Sequence, residues 1–177
     1  MHALLASLTG GHRLLHRVSG GRLGRRFPGG QRIVWIDTLG RRSGQWRRTP
    51  LLAVADTADT AGAAGPADTA DTAGPSGPAG GGGGCGAAYV VAGSNGGQGR
   101  VPGWVFNAQA HPRGFLEVDG QHWVVSFEQA HGDDRDRLYA ALVASWHPFD
   151  GYARRAGRPI PVFRVRLLAR SEPPPSR

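Results

Sequence analysis

The chain has 177 residues, the length of a single domain, which leaves no room for a multidomain machine. Its formal net charge is +8 and all 21 basic residues are arginine, so Schiff-base chemistry and a phosphate loop built on lysine are excluded, while an anionic partner is the first expectation. One cysteine, Cys85, excludes an internal disulfide and a cysteine-rich metal site and suits a reducing compartment.

In chain order, Leu4, Leu5, Leu8, Leu14, Leu15 and Val18 recur at an approximately helical period with Arg13, His16 and Arg17 between them. They predict an N-terminal helix over residues 1–20 that packs on the domain; peripheral contact with a membrane surface through its basic face is the alternative. No apolar run approaches the ~18 residues of a membrane span. Met1 to Leu8 lacks the early positive charge of a secretory signal, so a cytoplasmic location is expected, with membrane association as the alternative.

From Arg32 the pattern turns to strand. Ile33–Ile36 and Leu51–Val54 are short apolar runs joined by Gly40-Arg41-Arg42-Ser43-Gly44, and Ala87–Ala92 forms a third. Between the second and third, Ala55–Pro66 and Ala67–Pro78 make a tandem twelve-residue repeat that runs into Gly80–Gly84. The repeat has no aromatic and no branched aliphatic residue, so it buries too little to offset its ordering entropy. Asp56–Gly86 is therefore expected to be a disordered insertion at a hairpin tip, and without it the strands form a simple meander. The insertion holds four of the 13 acidic residues and no arginine, which leaves the rest of the chain at +12. Ten arginines lie between Arg13 and Arg48, opposed only by Asp37.

Gly114–Val118 and Gln121–Phe127 flank Asp119-Gly120, a hairpin signal. Asp133–Trp146 reads as a helix with acidic residues in its first turn. Val162–Leu168 alternates Phe163, Val165 and Leu167 with Arg164 and Arg166, a strand buried on one face and wet on the other. Six mostly hairpin-connected strands with two or three helices besides the N-terminal one give an α+β, mainly β, single domain over 1–177. A closed or half-closed antiparallel barrel is expected, not a doubly wound sheet.

Three constellations could carry chemistry. The turn Gly40–Gly44 with Arg47 and Arg48 offers main-chain N–H groups, guanidinium forks and a hydroxyl to a phosphate or carboxylate; a solvated basic hairpin turn is the equal alternative. Ser94-Asn95-Gly96-Gly97 leaves a strand and leads to Pro102-Gly103-Trp104. Such a glycine-rich exit brings main-chain donors to a ligand, although a plain loop reads better from spacing alone. Trp146, Phe149 and Tyr152 recur every third residue, a spacing that packs a core more often than it lines a pocket. Pro148 and Gly151 interrupt the helix there and keep the pocket reading open. His122, His131 and His147 have no metal-ligand spacing, and no metal is expected.

The order of these motifs is specific. Thr38-Leu39-Gly40-Arg41-Arg42-Ser43-Gly44-Gln45-Trp46-Arg47-Arg48-Thr49-Pro50-Leu51, then Ser94-Asn95-Gly96-Gly97, then Pro102-Gly103-Trp104 with Asn107 and Ala110-His111-Pro112, then Arg158-Pro159-Ile160-Pro161-Val162, resemble the deazaflavin-dependent nitroreductase family, whose members use coenzyme F420. The resemblance implies a split β-barrel, FMN-binding-like in architecture, and an oxidoreductase that passes hydride from reduced F420 to an electron-poor conjugated acceptor: a quinone, an enone or a nitroaromatic. It assigns Arg41, Arg42, Ser43 and Arg47 to the cofactor phosphate. Pro50 and Leu51, with Ser94, Asn95, Gly96 and Gly97, would border the deazaflavin ring, and Trp104 and Asn107 would close the groove. The substrate would meet Leu52, Trp146 and Phe149, with Tyr152, or water, as the catalytic proton source. Where the nitroreductase pattern carries tyrosines, this chain has Leu52, Trp146 and Phe149 and keeps only Tyr152, which favours quinone or enone reduction over nitro reduction. Two rival readings remain: an FMN- or heme-binding protein on the same barrel, and a basic nucleic-acid-binding domain. The second lacks a helix-turn-helix or zinc module and has little aromatic interleaving outside Trp35 and Trp46.

Overall fold

The computed structural model describes residues 32–56 and 86–174. The expected helix over 1–20 and most of the expected insertion, Cys85 included, lie outside the described residues. Six strands are present among them: β1 (Arg32–Leu39), β2 (Trp46–Ala55), β3 (Ala88–Ala92), β4 (Arg113–Val118), β5 (Gln121–Gln129) and β6 (Val162–Arg170). Each neighbouring pair is antiparallel and the order β1-β2-β3-β6-β5-β4 closes into a barrel, with β4 returning to β1. Closure removes free sheet edges.

Alternation of side chains sorts the residues. Val34, Ile36, Val91, Leu116, Val125 and Phe163 belong to the barrel's inner core, whereas Val90, Ala92 and Val162 face outward into a second apolar cluster. The predicted strands are all present and mostly longer, because pairing carries the ladder through polar residues that hydropathy alone discounts. β2 shows this best. Its register with β1 runs from Leu39↔Trp46 to Arg32↔Ala53, but it pairs with β3 only over Ala53–Ala55. Pro50, which has no N–H to donate, falls where β1 is the only strand alongside. The Asp119-Gly120 hairpin forms as expected, with both residues at positive φ (51° and 78°).

Three α-helices complete the described fold: α1 (Gly103–Ala110), α2 (Gly132–Ser145) and α3 (Pro148–Ala156). No helix among the described residues is long and apolar enough to cross a membrane. α1 packs Trp104, Val105 and Ala108 into the inner core, with Trp104 edge-on to Phe163 at 5.2 Å. α2 and α3 cover the outer cluster with Leu138, Leu142 and Phe149.

Two expectations change here. Asp56 and Gly86, read as the ends of a disordered insertion, belong to the barrel. The Asp56 N–H donates to the Ala88 carbonyl at 2.9 Å, and the Gly86 N–H to that of Leu167 at 3.0 Å. The Asp56 side chain is only 1% exposed and accepts from Arg164 Nε at 2.8 Å and Arg137 Nη1 at 3.3 Å. Arg164, assigned to a wet face, is instead covered, since its guanidinium also reaches Asp134 at 3.1 Å. Burial pushes the Asp56 carboxyl up, but the Arg164 and Arg137 guanidiniums outweigh it and hold the group below the ordinary carboxylate range.

A carboxylate held low in the folded state stabilises fully above its unfolded pKa, and this contribution is lost as pH falls through the folded value. Asp56→Asn is expected to cost about 2 kcal/mol at neutral pH, less than the full penalty of a buried pair because Arg164 keeps Asp134 and Arg137 is half in solvent. Thermal melts from neutral to acid pH should show the wild-type advantage shrinking through the carboxylate range; a gap that stays constant would rule out Asp56 as its source.

Candidate functional site

The β1–β2 connection is built tightly. The Gly40 N–H donates to the Gln45 carbonyl and the Gly44 N–H to that of Gly40, both at 2.8 Å, and Ser43 Oγ accepts from the Gln45 N–H at 3.4 Å. A Cβ on Gly40 would lie 2.6 Å from Ser43 Oγ and 3.0 Å from the Gln45 carbonyl, so only glycine lets the turn fold back this far. α1 then pins the turn from the side. Asn107, buried, accepts the Arg41 N–H at 3.2 Å through Oδ1 and donates from Nδ2 to Thr38 Oγ1 at 3.3 Å.

The turn and α1 border an open recess of about 240 Å³ lined by Gly40, Arg41, Arg42, Ser43, Arg47 and Asn107. Arg41, Arg42, Ser43, Arg47 and Asn107, all named from the sequence, are thus brought together. Several arginines of the barrel wall are paired. Arg48 is held by Asp37 and Glu117, Arg166 by Glu128 and Arg32 by Asp119. Among the described residues, Arg41, Arg42 and Arg47 meet no carboxylate. Three such guanidiniums around one recess present the donors that a phosphodiester or a string of carboxylates would need.

Ser94, Asn95, Gly96 and Gly97 form a short 3-10 turn at the end of β3, apart from that recess. It is seated between α1 and α3. The Cβ position of Gly93 falls 2.7 Å from Val105, and that of Gly97 falls 3.2 Å from the Tyr152 Cα. Arg158 fixes the loop by donating to the carbonyls of Gly93, Gln98, Gly99 and Arg100 at 3.0–3.3 Å. Its neighbours Gly157 and Pro159 mark a turn, but nothing local in sequence shows that its partners lie some 60 residues back.

The remaining expected residues take different places. Trp104 is 4% exposed and belongs to the barrel's inner core. Phe149 is buried in the outer cluster, edge-on to Tyr139 and Tyr152, with its carbonyl accepting the Tyr139 hydroxyl at 2.7 Å. The structure therefore gives Phe149 a packing position and not an open pocket wall. Leu52, Trp146 and Tyr152 are half-buried against the same cluster, and Pro50 and Leu51 are half-buried along β2. Sequence reasoning missed Thr38 and Phe106, which contribute only through their contacts with Asn107 and Arg41.

Comparison with known proteins supplies the rest. The model of the F420H(2)-dependent quinone reductase family matches residues 11–65 and 78–166. The chain is 27% identical over 154 residues to F420H(2)-dependent quinone reductases of Mycobacterium tuberculosis strains H37Rv and CDC 1551, covering 85% of this chain and 84% of each relative. Two solved structures share the fold. An F420-H2 dependent reductase (FDR-A) aligns at TM-score 0.53 and 24% identity over 75% of this chain and 92% of that one. A domain-swapped dimer aligns at 0.56 and 21% over 93% and 99%.

Arg158→Met keeps the length of the side chain and removes its donors. It is expected to cost about 2 kcal/mol, as several charge-assisted bonds are lost at once. Amide exchange should speed up at Gly97 and Gln98 before it does in β1; protection that is unchanged there would refute the clamp.

Proposed function

The chain belongs to the F420H(2)-dependent quinone reductase family, and from that premise we propose how its residues divide the work of an F420-dependent reduction of quinone-like acceptors. The observation that carries the reading is the recess at the β1–β2 turn, where Arg41, Arg42 and Arg47 meet no carboxylate among the described residues and lie beside Ser43 and Asn107. These donors fit the phosphodiester and glutamate tail of coenzyme F420, an anion whose charge would complete an otherwise unbalanced cluster. Bound F420, in its reduced form, supplies a hydride in a two-electron step.

The chain's own tasks follow from this. Arg41, Arg42, Ser43 and Arg47 bind and orient the anionic arm. Pro50 and Leu51 on β2, with the Ser94–Gly97 turn, border the flat ring, where half-buried apolar surface excludes water. An acceptor quinone would lie against Leu52 and Trp146, and Phe149 would back that wall from within the outer cluster. Taking up hydride leaves a quinone as a hydroquinone anion, which needs one proton; the Tyr152 hydroxyl is the donor we assign, with solvent replenishing it. The tyrosine hydroxyls that a nitro group would need are absent at Leu52, Trp146 and Phe149, which favours quinones and enones over nitroaromatics.

Two experiments test the assignment. Titration with F420 and with FMN, followed by ligand fluorescence, should show binding of F420 and not of FMN; the reverse order would overturn the cofactor assignment. In the same assay Arg42→Ala should raise the Kd about tenfold, the value of one charge-assisted contact. Its melting temperature should hardly move, since Arg42 is exposed. Tyr152→Phe should lower kcat with a quinone acceptor by about a hundredfold at unchanged F420 affinity, and an unaltered kcat would give the proton to water.

A further inference from the structure

We infer that Phe106 is a positioning residue that sets coenzyme affinity by holding the Arg41 guanidinium in place at the mouth of the recess; this rests on reading the Gly40–Gln45 turn as the phosphodiester site. Phe106 is the one large apolar side chain exposed among the described residues, at 39%. Its exposure follows from the helix. Trp104, Val105 and Ala108 of α1 are committed to the barrel core and Asn107 to the turn, so position 106 must point outward. A polar residue would be the ordinary occupant of that position. Instead the ring lies beneath Arg41, with Cζ 4.8 Å from the ring centroid.

The consequence lies in the geometry of a stacked guanidinium. A guanidinium laid flat on a ring keeps its edge N–H groups, the donors that grip a phosphate, free. An exposed arginine loses rotamer freedom when it closes on a ligand, and a side chain already laid on an aromatic platform has less to lose. Consecutive residues of α1 therefore hold Arg41 at two points: Asn107 through the main-chain N–H at 3.2 Å and Phe106 through the guanidinium. No carboxylate among the described residues competes for the Arg41 side chain.

The test is a double-mutant cycle read by F420 fluorescence titration, with thermal melting of the protein alone in parallel. Phe106→Leu, which keeps apolar bulk and removes the ring, is expected to raise the F420 Kd about two- to fivefold, with the melting temperature unchanged. Phe106→Tyr should bind as wild type. In an Arg41→Ala background, Phe106→Leu should have no further effect. Wild-type affinity in Phe106→Leu, or the same loss with and without Arg41, would overturn the inference, while a weakened Arg42→Ala in the same assay would leave the site reading intact. Failure of the wild-type protein to bind F420 would instead overturn the site reading and this inference together.

Discussion

The allocation of carboxylates among arginines governs both halves of this molecule. Asp37 and Glu117 share Arg48, Asp119 takes Arg32, Glu128 takes Arg166, and Asp56 with Asp134 locks Arg137 and Arg164 across the join of β2, α2 and β6. These pairs fasten outward-facing strand positions that would otherwise be solvated. Among the described residues none of these carboxylates reaches the β1–β2 turn, so on the proposed reading Arg41, Arg42 and Arg47 would be open to an external anion. A basic surface by itself implies little about a ligand. Three arginines that converge on one recess are a more selective signal.

α1 converts this charge pattern into a site. Eight residues long, it plugs the barrel end with Trp104, Val105 and Ala108, and that burial fixes its rotation. Asn107 then has one place to go, between Thr38 and the Arg41 N–H, where its amide is satisfied on both sides. Core packing therefore sets where the turn sits. Enlarging or shrinking the plug would move the donors of the β1–β2 turn without touching them.

Legibility from sequence tracked how local the cause was. The strands were readable because alternation is a property of neighbours, and the Asp119-Gly120 turn because two adjacent residues determine it. The Gly40–Gln45 turn was readable as a motif, and its glycine is explained by contacts within five residues. Asp56 was misplaced for the opposite reason. In composition it is one more Asp-Thr-Ala unit, and only barrel closure brings Arg137 and Arg164, 81 and 108 residues on, to its carboxylate. Trp104 and Phe149 were read as site residues because they sit within site motifs, yet each is large and apolar and the fold had a core position for it. Arg158 shows the same limit, since its acceptors are carbonyls, which carry no sequence signature.

The outer cluster bears on the acceptor side of the reaction. Leu52 and Val54 from β2, Val90 and Ala92 from β3 and Val162 from β6 form a continuous apolar floor beneath α2 and α3. Phe149 keys α3 into that floor, and its edge contact at 5.3 Å holds the Tyr152 ring from one side while the Gly97 turn limits it from the other. On the proposed reading, an acceptor with a flat apolar face would fit the half-buried Leu52 and Trp146 better than one that must be held by hydroxyls.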